Sequence, residues 1–111
     1  MIEDILSDVG IPYRHTRFQS PPEETYAVYT QDMSAEGADS MHGGVYWVTN
    51  EITVNLYEPY LDDDTELTME NTIASYGCEW RKQDRQWLQD EQRYQVTYTF
   101  EYVEKRRINN G

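Results

Sequence analysis

The segment Val45–Tyr57 constrains the fold of this chain more than any other, because it runs without glycine or proline and alternates in character from residue to residue. Tyr46, Val48, Asn50, Ile52, Val54 and Leu56 fall on one side. Val45, Trp47, Thr49, Glu51, Thr53, Asn55 and Tyr57 fall on the other. A period of two belongs to a strand, and the apolar set belongs on the core side of a sheet. A shift of one residue would invert both faces, so the register is strongly specified. The strand is long for a globular domain, and its first half is expected to reach beyond the body.

A second alternating segment, Tyr94–Val103, places Tyr94, Val96, Tyr98, Phe100 and Tyr102 on one face and Gln95, Thr97, Thr99 and Glu101 on the other. Thr25–Thr30 is rich in β-formers, and Cys78–Asp84 is a further short strand containing Trp80. Two helices complete the pattern. Ile2, Ile5, Leu6 and Val9 form an amphipathic stripe ended by Gly10 and Pro12. Thr65–Tyr76 carries Leu67, Met69, Ile73, Ala74 and Tyr76 on its buried side, with Gly77 closing it. Asp63 and Glu66 stand at capping-box spacing before it.

The expected fold is therefore α+β, in the order α-β-β-α-β-β. It would be an about four-stranded, mainly antiparallel sheet with two helices on one face. Residues 1–104 form one domain, and 105–111 form a flexible tail. The core should combine Tyr46, Val48, Ile52, Val54, Leu56, Tyr94, Val96, Tyr98 and Phe100 with Ile5 and Ile73. Gln31–Gly44 is polar and glycine-containing, and is expected to be a long mobile loop used for docking, with Asp32, Met33, Asp39, Met41, His42, Gly43 and Gly44 as its candidate contacts.

Charge narrows the function. The 111 residues hold 21 Asp and Glu against 9 Lys and Arg, a net charge of −12. Nucleic-acid binding draws on phosphate contacts by Lys and Arg, so this balance opposes it. The single cysteine, Cys78, rules out an intrachain disulfide and any cysteine-based zinc cluster within one chain. No stretch approaches the length of a membrane span, so no membrane partner is expected.

Candidate chemistry is sparse. Asp62, Asp63 and Asp64 do not begin a calcium loop, because the sixth and twelfth positions are Leu67 and Ile73 where Gly and Glu are required. An acidic helix start accounts for them better. Gly43–Gly44 precedes a strand and not a helix, so it is no phosphate loop. His15 and His42 lack metal-ligand spacing. A composite site of Cys78 with one of these histidines would depend on geometry that spacing does not reveal. No cofactor, metal or catalytic residue is expected. Trp80–Tyr94 interleaves Arg81, Lys82, Arg85 and Arg93 with aromatics, but Asp84, Asp90 and Glu91 interrupt it, favouring ion pairs over single-strand binding. Trp47, Trp80, Arg81, Arg85, Trp87 and Arg93 are the candidate subunit interface, since Trp and Arg are enriched in interface centres.

The pieces Gly10–Arg14, Tyr26–Tyr29, Leu56–Pro59, Trp80–Arg85 and Tyr94–Val96 resemble small structural proteins of long-tailed bacteriophages and prophages of Gram-positive bacteria, the tail-terminator, tail-completion and head–tail joining group. The resemblance covers Gly10 to about Lys105 and carries no catalytic motif. It implies a subunit that closes into a ring with copies of itself, usually hexameric. Such a ring would cap the tail tube, dock the head through neck and head-completion proteins, and pass DNA through its lumen without specific binding. It implies assembly in the host cytoplasm and residence in the virion. Two other readings remain: an acidic DNA mimic that inhibits a nucleic-acid-binding protein, and a small Cys/His enzyme.

Overall fold

The computed structural model describes residues 1–37 and 45–107. In chain order these form α1 (Ile2–Val9), β1 (Tyr13–His15), β2 (Tyr26–Gly37), β3 (Val45–Glu58), α2 (Asp63–Ser75), β4 (Trp80–Lys82), β5 (Gln86–Leu88) and β6 (Arg93–Arg107). The sheet has the order β1-β2-β3-β6-β4, with β5 also paired to β6. β1 runs parallel to β2, and every other pair is antiparallel. The expected four-stranded, mainly antiparallel sheet is thus corrected to six strands in a mixed sheet. The additional strands are short edge pieces of three residues, below the length at which alternation is visible.

β3 pairs from end to end on both sides, with Tyr57 opposite Tyr26 and Gln95, and Trp47 opposite Glu36 and Lys105. Residues opposite one another in a ladder share a face. One face therefore holds Ala27 and Tyr29 of β2, Ile52, Val54 and Leu56 of β3, and Val96, Tyr98 and Phe100 of β6. All eight are buried. Ile2, Ile5 and Leu6 of α1 and Met69 and Ile73 of α2 join the same core. Val48 is buried as expected, whereas Tyr46 and Tyr94 are half-buried.

The covered face continues past the helices as a polar cluster. Gln31 Nε2 donates to Asn50 Oδ1 at 2.7 Å and to the Tyr102 hydroxyl at 3.3 Å, and Asn50 Nδ2 donates to Glu104 Oε1 at 3.3 Å. Asn50 is fully buried. Its amide can be buried there because both ends find partners.

Several local expectations change. Gln31–Gly37 is strand and not loop, so Asp32 and Met33 belong to β2, opposite Glu51 and Asn50. Cross-strand pairing with β3 outweighs the weak β-propensity of these residues. Asp39, Met41, His42, Gly43 and Gly44 lie outside the described residues. β6 continues through residues 105–107, with Arg107 opposite Val45, while 108–111 lie outside the described residues. In α2 the cap is Asp62 and not Asp63: its Oδ1 accepts from the Thr65 amide at 3.2 Å. Leu67 and Ala74 face solvent, and Glu66 is buried instead. Gly10 ends α1 at φ +84°, the left-handed region that glycine enters without strain.

The covered and open faces give opposite expectations for neighbouring residues. Ile52→Ala should cost about 2–5 kcal/mol in urea unfolding. Thr53→Ala, on the open side, should stay within about 1 kcal/mol. Equal losses would contradict the assigned register.

Candidate functional site

The most concentrated set of ionisable groups lies where α2 meets β4, β5 and the end of β3. Glu66 is 1 % exposed, and four donors converge on it or its neighbours. Lys82 Nζ lies 2.7 Å from Glu66 Oε1 and 3.0 Å from Glu70 Oε2. Arg85 Nε lies 3.0 Å from Glu66 Oε2, and its Nη2 bonds both Glu66 Oε1 and Asp63. The Tyr98 hydroxyl donates to Glu70 Oε2 at 2.6 Å. Both cations come from the segment between Trp80 and Leu88, so the network ties the outer strands to the helix. Arg85 is thereby an intrachain clamp.

Glu58 completes this network from β3. It is fully buried, and its Oε1 accepts from the Asp62 amide at 3.2 Å. Its Oε2 has no donor partner among the described residues. Burial, followed by its hydrogen bond to Glu66, pushes the Glu58 carboxyl up to about 8. A proton on Glu58 makes this side chain the donor toward Glu66. Burial works against the Glu66 carboxylate, but Arg85, Lys82 and Glu58 together hold it below the usual range. The result is a neutral acid beside an ionised one, each kept in its state by its surroundings. Such a pair can in principle exchange protons. Both carboxyls are sealed from solvent, however, and their geometry makes a structural latch.

The remaining candidates separate. Cys78 is buried in the core, and burial pushes its thiol up, the opposite of an activated nucleophile. His15 stacks on Tyr29, with ring centroids 5.0 Å apart. His42 lies outside the described residues. Asp62 is the helix cap and accepts from the hydroxyls of Thr25 at 2.6 Å and Thr65 at 2.7 Å. No cluster of His, Cys, Asp or Glu among the described residues has metal-binding geometry.

The candidate interface residues are spread over the molecule. Trp47 is half exposed on the open face, with Lys105 Nζ 5.8 Å from its ring centre. Trp80 packs edge-on to Tyr98, and Trp87 edge-on to Tyr94 at 4.8 Å. Arg93 is internal: it donates to the carbonyls of Pro22, Glu23 and Glu24 and stacks on Tyr26, fastening the β1–β2 connection to the open face. Arg81 lies exposed in a shallow groove on that face beside Glu51, Glu79 and Glu101.

Sequence reading missed one electrostatic feature of the open face. Register brings Asp32, Glu51 and Glu101 side by side on three adjacent strands. All three are exposed. Their positions along the chain carry no sign of this proximity, which exists only once the strands pair. Like charges directly opposite one another are unfavourable, so this row is a cost the fold tolerates.

No protein-family model matches the chain, and no curated protein matches it. No helix among the described residues is long and apolar enough to cross a membrane.

Two measurements check these electrostatics. The folded-state value of Glu58 lies above its ordinary 4.5. Its protonated form therefore contributes stability that is complete below about pH 4.5 and is lost as pH rises through about 8. Glu58→Gln should flatten this decline and make the protein more stable than wild type at pH 9; an unchanged pH profile would contradict the latch. Glu51→Gln should raise stability by roughly 0.2–1 kcal/mol, with a smaller gain in high salt. A loss would show that the acid row is not repulsive.

Proposed function

We propose that this chain is a virion assembly protein, a ring subunit of the tail-terminator or head–tail joining type in a long-tailed phage or prophage. The proposal starts from the resemblance carried by segments between Gly10 and Lys105. The observation that favours it is the open, acidic face of the sheet. Among the described residues both helices pack on one face, and the opposite face presents Asp32, Glu51 and Glu101 amid threonines, including Thr30, Thr53 and Thr99. Turned toward a lumen, the acid row would repel passing DNA, with Arg81 set among Glu51, Glu79 and Glu101 in the groove of the same face. The subunit would be incorporated in the host cytoplasm, with the tail tube protein and neck proteins as neighbours.

The same acid row favours a second reading, a DNA mimic that occupies a nucleic-acid-binding protein. A mimic acts as a monomer on a basic partner, whereas a terminator acts at a tube end. The test is to mix the purified chain with its cognate tail tubes and image them. The terminator reading expects rings capping tube ends and tubes of uniform length. Bare ends with unregulated length would overturn it and leave the mimic, which competition with DNA for a basic partner would then reveal.

A further inference from the structure

The two lateral edges of the sheet carry exposed side chains of opposite charge without ion-pair partners among the described residues, and we propose that they dock against each other between copies of this chain, joining subunits head to tail. The inference rests on the ring reading and specifies the contact that such a ring would use. One edge is β1 with the connection that follows it. There Arg14 and Arg17 lie exposed in an open groove walled by Pro12, Phe18 and Pro22. Arg14 gives one N–H to the Tyr13 carbonyl at 2.8 Å and lies 5.1 Å from the Phe18 ring centre. Neither arginine has a carboxylate partner among the described residues, although acids outnumber bases 21 to 9 in this chain. Where carboxylates are in such surplus, two neighbouring arginines left without one mark a place for an external anion.

The other edge is β4 and β5. Lys82 and Arg85 are turned inward to Glu66 and Glu70, and Arg93 to backbone carbonyls. With these engaged, and with Arg81 lining the open-face groove beside Glu51, Glu79 and Glu101, Asp84 and Asp90 are exposed, and neither has an ion-pair partner among the described residues. Trp87 stands between them in sequence, 45 % exposed. The proposed contact seats Trp87 against Pro12, Phe18 and Pro22, with Asp84 and Asp90 reaching Arg14 and Arg17. A Trp anchor flanked by charge-assisted hydrogen bonds is the arrangement that dominates many interfaces. β1 and β5 are each three residues long, too short for strand pairing to supply the contact. Two different patches on one chain make a heterologous contact, which closes a ring if the rotation permits.

The test uses complementary charge reversals on exposed positions. One variant carries Arg14→Glu with Arg17→Glu, and the other Asp84→Arg with Asp90→Arg. Thermal unfolding verifies that both fold. Sedimentation over a concentration series, with imaging at tube ends where wild type assembles only there, scores wild type, each variant and their equimolar mixture. Each variant alone should associate at least about tenfold more weakly than wild type. The mixture should recover, because every contact in an alternating assembly is again between opposite charges. Variants that assemble like wild type, or a mixture that fails to recover, would overturn this pairing while leaving the ring reading intact. Wild type that stays monomeric in solution and on tube ends would overturn both.

Discussion

The two-sided pairing of β3 is the constraint on which the rest of the molecule depends. Its fourteen residues are bonded to β2 on one side and β6 on the other along almost their whole length. That double ladder decides which residues share a face. It puts Ile52, Val54 and Leu56 under the helices and Glu51 between two other carboxylates. Changing its register by one residue would bury the acid row and expose the core, an exchange no surface adjustment could offset. At a rise of about 3.3 Å per residue, the strand spans about 46 Å. The 54 × 28 × 22 Å envelope of the chain reflects this length.

The helices cover only part of this long sheet, and polar chemistry finishes what they leave. At one end Gln31, Asn50, Tyr102 and Glu104 satisfy one another beyond the helical layer. At the other, Glu58 and Glu66 are buried beneath the partly exposed Lys82 and Arg85, so the acidic helix is fastened to the outer strands by the cations of the 80–88 segment. Breaking such a pair leaves an uncompensated buried charge, which is why the network holds the outer strands in place. It also engages two of the cations nearest the β4–β5 edge, Lys82 and Arg85. An interior demand thereby sets the sign of an exterior surface, and the self-association proposed here follows from that link.

The long elements were legible in the sequence because alternation sustained over ten or more residues belongs to a strand with one covered face. Ile52, Val54, Leu56, Val96, Tyr98 and Phe100 are core residues as their spacing implies. The short strand β5 was not legible, since three residues carry no period, and the parallel pairing of β1, within the extended segment Ile11–Phe18, left no local sign either. Gln31–Gly37 was misread because its polar residues are tolerated on a strand whose partner is strongly formed. Glu66 was misread because burial of a carboxylate depends on Lys82 and Arg85, which are distant in sequence. Among the interface candidates, Arg85 and Arg93 turned out to have internal partners that composition alone does not disclose. Arg14 and Arg17 drew no attention, since an unpaired arginine is notable only when the positions of the surrounding acids are known.

In the proposed assembly the edges of the sheet meet between copies while its acidic face stays open. Electron microscopy of the assembled wild-type chain, at a resolution that places the sheet, tests this most directly. Closed rings are expected in which β1 of one copy adjoins β5 of the next, with Asp32, Glu51 and Glu101 facing the hole and the helices outside. Rings with the helices lining the hole, or pairs of copies stacked through their open faces, would contradict it.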